Sequence, residues 1–254
     1  MTTAAPYAPP RDVLSKMRRR LTLWRAARPA TLAFDRPILS IAFDDFPESA
    51  ADEGARILER HGARGSFYAS ASLAGVEGPS GRNFSNSDIP RLIATGHEVG
   101  CHTYSHADCA RADIFDILHD LARNRDALFE MGASAPLRTL AYPYGETTEN
   151  LKAVLPPRFA CARGALVGLN VGRCDLNQLR AYPLFGKGAV ARFKAALQRA
   201  AKRNAWIIAF THDIGDAPSP WGTRGSDLEA ILAAARELGF AILPVSAAIE
   251  RRLS

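Results

Sequence analysis

The chain has 254 residues, 47% of them hydrophobic, which is enough to bury a full core as one domain, since α/β barrels use about 200 to 250 residues in a single unit. Its net charge of +6 and pI near 9.4 come with basic residues crowded at Arg18, Arg19, Arg20, Arg25 and Arg28, so the charge does not amount to a nucleic-acid-binding surface. Cys101, Cys109, Cys161 and Cys174 contain no Cys-x-x-Cys pair, which argues against a disulfide framework and for reduced, mostly buried thiols.

Residues 1–10 are Pro-rich and read as disordered, and 11–27 read as a basic helix with Val13, Met17, Leu21 and Trp24 at spacings of three to four. Such a helix can lie on an anionic membrane surface, a possible peripheral association with an inner membrane, or pack on the domain. Its narrow apolar stripe favours packing. The expected organisation is an N-terminal helical extension over 1–35 and one domain over 36–254. No basic region followed by an apolar run opens the chain, and no stretch approaches 18 apolar residues. The expected compartment is therefore the cytoplasm, including the inner face of its membrane.

From Ile38 onward short apolar runs alternate with helical segments, the pattern of parallel strands covered by helices. Strands are expected near 38–43, 65–69, 97–101, 138–142, 158–162, 179–184, 205–210 and 240–243. Helices are expected over 48–61, 87–95, 112–131, 147–154, 188–203, 226–238 and 245–252. Two loops are longer than the rest: 70–87 is rich in Gly and Ser, and 213–226 carries Pro218, Pro220, Trp221 and Gly222.

The polar residues of interest fall at the carboxyl ends of these strands, where barrel enzymes build their sites. Ile38 to Phe46 is an apolar, β-branched run that ends in Asp44 and Asp45. Adjacent carboxylates repel unless a cation or a proton lies between them, which points to a metal or an acid/base site; the bland alternative is an N-cap for the helix after Pro47. In Gly-His-Glu-Val-Gly-Cys-His-Thr-Tyr-Ser-His, from Gly96 to His106, His102 and His106 stand at i and i+4, which places two imidazoles together on one helical turn. Two imidazoles and one carboxylate leave positions open for water and substrate, as a catalytic rather than structural zinc requires. His97, His61 and His119 read as structural.

With these residues in view, the chain resembles a polysaccharide deacetylase of the NodB-homology type, carbohydrate esterase family 4. Phe-Asp-Asp at 43–45, His-Thr-Tyr-Ser-His at 102–106, Tyr-Pro-Tyr-Gly at 142–145 and Phe-Thr-His at 210–212 follow the order of that family's motifs over residues 36–250. The resemblance implies a single distorted (β/α) barrel of seven strands. It also implies a divalent metal, Zn2+ before Co2+, Ni2+ or Mn2+, held by Asp45, His102 and His106. Asp44 would be the general base and His212 the general acid that protonates the leaving amine. The backbone N–H of Tyr144 would serve the oxyanion hole, with Pro143, Tyr144 and Trp221 against the sugar. The division between the carboxylates is physically sound, because one on the metal loses basicity while its neighbour keeps it.

The third motif departs from the common Arg-Pro-Pro-Tyr, for Ala141 stands where the family arginine would pair with the base aspartate. Arg180 is the candidate replacement, and Asp175 the candidate to orient His212. The implied activity is metal-dependent removal of N-acetyl groups from N-acetylhexosamine units of a polysaccharide or a lipid-linked glycan. The stretch 212–222 is similar to exopolysaccharide deacetylases such as those of bacterial holdfasts. An amidase or deformylase acting on another small amide, and an inactive glycan-binding protein, are the alternatives.

Overall fold

The computed structural model describes Thr22, residues 25–155 and residues 157–253. The Pro-rich 1–10 and most of the helix expected over 11–27 lie outside the described residues.

The strands, in chain order, are β1 (Pro29–Leu32), β2 (Ile38–Asp44), β3 (Ser66–Ala69), β4 (Glu77–Gly78), β5 (Gly81–Arg82), β6 (Glu98–Cys101), β7 (Thr139–Ala141), β8 (Cys161–Arg163), β9 (Gly172–Asp175), β10 (Tyr182–Pro183), β11 (Trp206–Thr211) and β12 (Ala241–Ile242). Seven of them form a curled parallel sheet in the order β10-β11-β2-β3-β6-β7-β8. Beside β2, β12 pairs at Ile38 and Leu39 while β3 pairs from Ala42 to Asp44, so the two share one edge. Every residue of β2 is buried, which is what an apolar strand covered on both faces requires.

The sheet stops short of closure between β8 and β10. Residues 176–181 stitch that seam from the main chain: Leu179 N–H donates to Ala162 O at 2.8 Å, Gly164 N–H to Leu179 O at 3.0 Å and Ala181 N–H to Leu166 O at 3.0 Å. The fold is thus the expected distorted barrel of seven strands. Two small ribbons were not expected. β4 and β5 form a hairpin inside the long loop 70–87, and β1 pairs antiparallel with β9. Leu32 and Phe34, which precede the boundary expected at residue 36, are buried in the core.

Helices follow the strands close to where the apolar periodicity places them. In Ile114–Glu130 the buried residues Ile117, Leu121, Asn124 and Leu128 recur at three to four, and Asp113 caps its start by accepting from Phe115 N–H at 2.8 Å. Asn124 is polar in a buried stripe because it closes main-chain groups at the end of β3: its amide donates to Ala69 O and accepts from Ala71 N–H, each at 2.9 Å. Thr148 caps Glu149–Val154 by accepting from Leu151 N–H at 3.1 Å.

That last helix carries Lys152, whose side chain is fully buried. Its ammonium donates to Asp175 Oδ2, Gln178 Oε1 and Arg25 O at 2.9 Å each, and to Thr22 O. Asp175 also accepts from Ala27 N–H at 3.1 Å and Arg28 N–H at 3.0 Å. A buried ion pair is tolerated where every remaining donor and acceptor is matched, and this one fastens the chain just before β1 to the barrel.

Candidate active site

The carboxyl ends of β2, β6, β7 and β11 bring the sequence motifs together. Asp44 closes β2 and Asp45 follows with φ of 42°, which turns its carboxylate toward the loop after β6. There His106 Nε2 lies 2.9 Å from Asp45 Oδ2 and His102 Nε2 lies 3.9 Å from Asp45 Oδ1. The ligand atoms of Asp45, His102 and His106 all fall within 4.8 Å of one another, the one such group of three found among the described residues.

The two histidines are not on one helical turn. Residues 102–107 are irregular, and φ values of 62° at Thr103 and 54° at His106 fold the segment back on itself. Thr103 Oγ1 accepts from Ala107 N–H at 2.9 Å and closes that turn. Tyr144, on the neighbouring loop, has φ of 58° and sets its ring edge-on to His106 at 4.6 Å. Left-handed backbone is uncommon outside glycine, costs about 1–3 kcal/mol per residue and gathers where a site demands it. Asp45, Thr103, His106 and Tyr144 all lie in this cluster.

His102 is buried, and its Nδ1 lies 2.7 Å from Ala141 O, to which it donates because a carbonyl oxygen only accepts. That contact fixes the ring and turns Nε2 toward Asp45, and in the neutral ring Nε2 carries the lone pair, the orientation a metal-binding imidazole takes. Burial holds the His102 pKa below the ordinary histidine value, against the pull of Asp45 and Asp44. At His106 burial acts the same way, but the Asp45 carboxylate outweighs it and the pKa rises. Burial would lift Asp45 too, yet the charges of His106 and His102, with a contribution from His212, hold it well below the usual carboxylate range.

These residues fit a divalent cation. Asp45 Oδ1 is a buried carboxylate oxygen with no hydrogen-bond partner, and a cation between it and the two Nε2 atoms would satisfy it.

Asp44 is buried at 5% exposure and its Oδ1 accepts from Arg163. Arg163 is the residue that sequence reasoning missed. It ends β8, and the parallel register sets it opposite Ala141, the position at which the family arginine is absent. The guanidinium therefore arrives at Asp44 from the next strand. Its carbon lies 4.8 Å from the Tyr68 ring centroid and 5.1 Å from that of Phe210, so it lies over two aromatic faces. An arginine that ends an apolar strand immediately after the third motif was the available signal.

Arg180 is not the replacement. Its guanidinium donates to Val167 O at 3.4 Å, and its main chain is bonded to Asn170. Asp175 does not orient His212, because Lys152 and main-chain N–H groups occupy both its oxygens. His212 takes its position from the loop instead. Its N–H donates to Trp221 O at 3.2 Å, and its Nδ1 lies 3.3 Å from the same oxygen. Asp213 shapes that loop by accepting from Ser219 N–H at 2.7 Å and Ser219 Oγ at 2.6 Å, and a Cβ at Gly222 would come within 2.4 Å of its carboxylate. Trp221 is 40% exposed, so it is not a core plug. Pro143 is buried at the start of the turn Pro143–Gly145, and its part is to support the loop that carries Tyr144.

Fold and site together define an α/β barrel with a His-His-Asp cluster and a second, arginine-paired carboxylate at the carboxyl ends of its strands. Residues 32–156 match the family model for polysaccharide deacetylase. The chain is similar to a peptidoglycan-N-acetylglucosamine deacetylase of Bacillus cereus, 25% identical over 120 residues, covering 46% of this chain and 40% of that one. It is also similar to a chitin deacetylase of Pestalotiopsis sp, 30% identical over 97 residues, covering 38% and 31%. The matches therefore span less than half the length of either relative. Among solved structures, a family 4 acetyl xylan esterase from Clostridium thermocellum, in complex with a cobalt ion, superposes with a TM-score of 0.60 at 18% identity, covering 84% of this chain and 90% of that one. A family 4 pseudoenzyme from Bacillus anthracis superposes with a TM-score of 0.57 at 12% identity, covering 87% and 68%. The family match and these likenesses support a polysaccharide deacetylase domain of the NodB type over residues 32–156.

Proposed function

We propose that the chain is a metal-dependent N-deacetylase of N-acetylhexosamine units in a polysaccharide, acting on a bacterial exopolysaccharide or its lipid-linked precursor at the cytoplasmic side of the membrane. The observation that carries the reading is the Asp45–His102–His106 cluster with its orphaned carboxylate oxygen, set beside a separate carboxylate tied to Arg163. A divalent ion bound there supplies Lewis-acid polarisation of the amide carbonyl and of the attacking water.

The protein's own groups divide the remaining work. Asp44, held by Arg163, takes the proton from the water as it adds to the acetamido carbon. The Tyr144 N–H donates to the carbonyl oxygen as negative charge develops on it. His212 gives a proton to the nitrogen as the C–N bond breaks, and acetate and a free amine leave. Trp221 offers an exposed aromatic face for the apolar side of a sugar ring.

The pseudoenzyme among the structural neighbours makes an inactive glycan-binding protein the second reading, and retention of Asp44, Asp45, His102, His106 and His212 opposes it. Incubation with N-acetylglucosamine oligomers, with acetate and product mass measured, decides the matter. Zn2+- or Co2+-loaded protein should release acetate, and chelated protein should release little until metal is restored. No acetate from the loaded protein on any oligomer, or undiminished release after chelation, would sink the proposal.

A further inference from the structure

Arg180 lines a second cleft, of about 670 Å³, between residues 168–171, β9 and the end of the helix Ala189–Ala201. Arg173, Arg180, Arg199, Lys202 and Arg203 surround it, and none of them forms an ion pair among the described residues. Asp175 is the acid in the lining, and its oxygens are already engaged by Lys152 and by the N–H groups of Ala27, Arg28 and Asn177. Cations brought together without counter-charge repel one another, and an anion in their midst relieves that repulsion.

The cleft is built around fixed elements. Arg180 N–H donates to Asn170 Oδ1 at 2.9 Å and Asn170 Nδ2 donates to Arg180 O at 3.0 Å, with Asn170 itself 1% exposed. Gly168 leaves room for the arginine stem, since a Cβ there would lie 2.4 Å from Arg180 Cδ. Asn170 is paired through its backbone with Trp206, at the amino end of β11. His212 and the metal cluster lie past the other end of that strand, whose five residue steps at about 3.3 Å each separate the two places by about 16 Å.

We propose that this cleft binds a diphosphate group, at a site separate from the metal centre. Arginine matches phosphate oxygens in pairs, and cations arriving from three segments exceed what a single phosphate, at about −1.5 to −2 charge, would balance. The volume falls within the about 300 to 1,000 Å³ of small-molecule sites, and Leu169, Val171 and Tyr182 give an apolar wall for whatever the diphosphate carries. Soluble sugar or nucleoside diphosphates and the head of a diphosphate-linked lipid share this chemistry. The proposal does not rest on deacetylation.

Calorimetric titration of the full chain with inorganic pyrophosphate tests it. Divalent ions are removed first, so that pyrophosphate cannot be held through a metal. Saturable binding is expected, at least tenfold weaker in Arg199→Gln/Lys202→Gln and in Arg173→Gln/Arg203→Gln, exposed substitutions that spare the core. It should weaken with salt, resist competition by sulfate at equal ionic strength and persist unchanged in His106→Ala. Absence of saturable binding, the parent's affinity retained in both double variants, or loss of binding in His106→Ala with the cleft intact would each overturn it. Phosphatidylcholine vesicles carrying a prenyl diphosphate, set against a soluble uridine diphosphate sugar, then separate the two sources, because the cleft binds its own source more tightly.

Discussion

Arg163 and Ala141 are register partners on adjacent parallel strands, and the arginine that family resemblance leads one to seek at 141 is supplied at 163. Asp44 thereby keeps its cation although the third motif has lost it. Arg163→Ala should retain the metal, measured by plasma emission, while turnover falls by about 10²-fold, part of the 10² to 10⁴ that a general base contributes. It should also cost about 3–5 kcal/mol of stability, since it strands a buried carboxylate. Arg163→Ala/Ala141→Arg should recover part of the rate. Normal turnover in the single variant would remove Arg163 from the mechanism.

His102→Ala and His106→Ala should each lose bound metal, because two remaining ligands hold a divalent ion poorly. Circular dichroism should show the fold intact, for neither ring belongs to the apolar core. Full metal occupancy in His102→Ala would show that the cluster is not the binding site.

Asp44→Asn and Asp45→Asn should part company. The first should keep its metal and lose turnover by about 10² to 10⁴, and the second should lose both. Equal metal loss in the two would mean that the carboxylates share the ion.

Much of this site was legible in the sequence because each motif follows an apolar strand, and a parallel sheet collects the ends of its strands at one rim. Asp44, Asp45, His102, His106, Tyr144 and His212 could be placed that way without coordinates. The conformation of 102–107 could not. Spacing at i and i+4 mimics a helix, and only the left-handed backbone at Thr103 and His106 reveals a folded-back loop. Arg163 was hidden for a related reason: its partnership depends on which strand lies beside β7, and register between strands is not written in either one. Arg180 and Asp175 looked equally polar at equally suitable strand ends, and their partners decide otherwise.

Trp221 gives a prediction with a fixed direction. Its carbonyl is tied to His212 and to Thr211 Oγ1 while its ring stays exposed, and alanine preserves the first and removes the second. Trp221→Ala should raise KM for oligosaccharides with stability changed by no more than about 0.5 kcal/mol, as for surface substitutions in general. A large fall in melting temperature with unchanged KM would show the ring to be a structural support.

Lys152 and Asp175 govern stability rather than chemistry. Burial raises the Asp175 pKa, but Lys152 and the N–H groups around it do more and leave it below the ordinary carboxylate value. A depressed carboxyl contributes stability that is complete above its unfolded value of about 3.9 and is lost as pH falls through the folded one. Asp175→Asn should therefore flatten the acid limb of the stability curve below about pH 4. Lys152→Met should destabilise by about 3–5 kcal/mol at neutral pH, and Lys152→Met/Asp175→Leu should recover most of it. A single lysine variant as stable as the parent would show that the pair contributes nothing.

The seam between β8 and β10 has a mechanical meaning for Asp44. Arg163, at the end of β8, borders the seam that residues 176–181 lace with main-chain hydrogen bonds, and Asp44 ends a strand separated from β8 by three others in the sheet. Their ion pair is a brace across the barrel interior beside a join held by one short segment. Loosening that join, whether by heat or by an oversized ligand, should release Asp44 before it disturbs Asp45, so turnover should fail while the metal is still held.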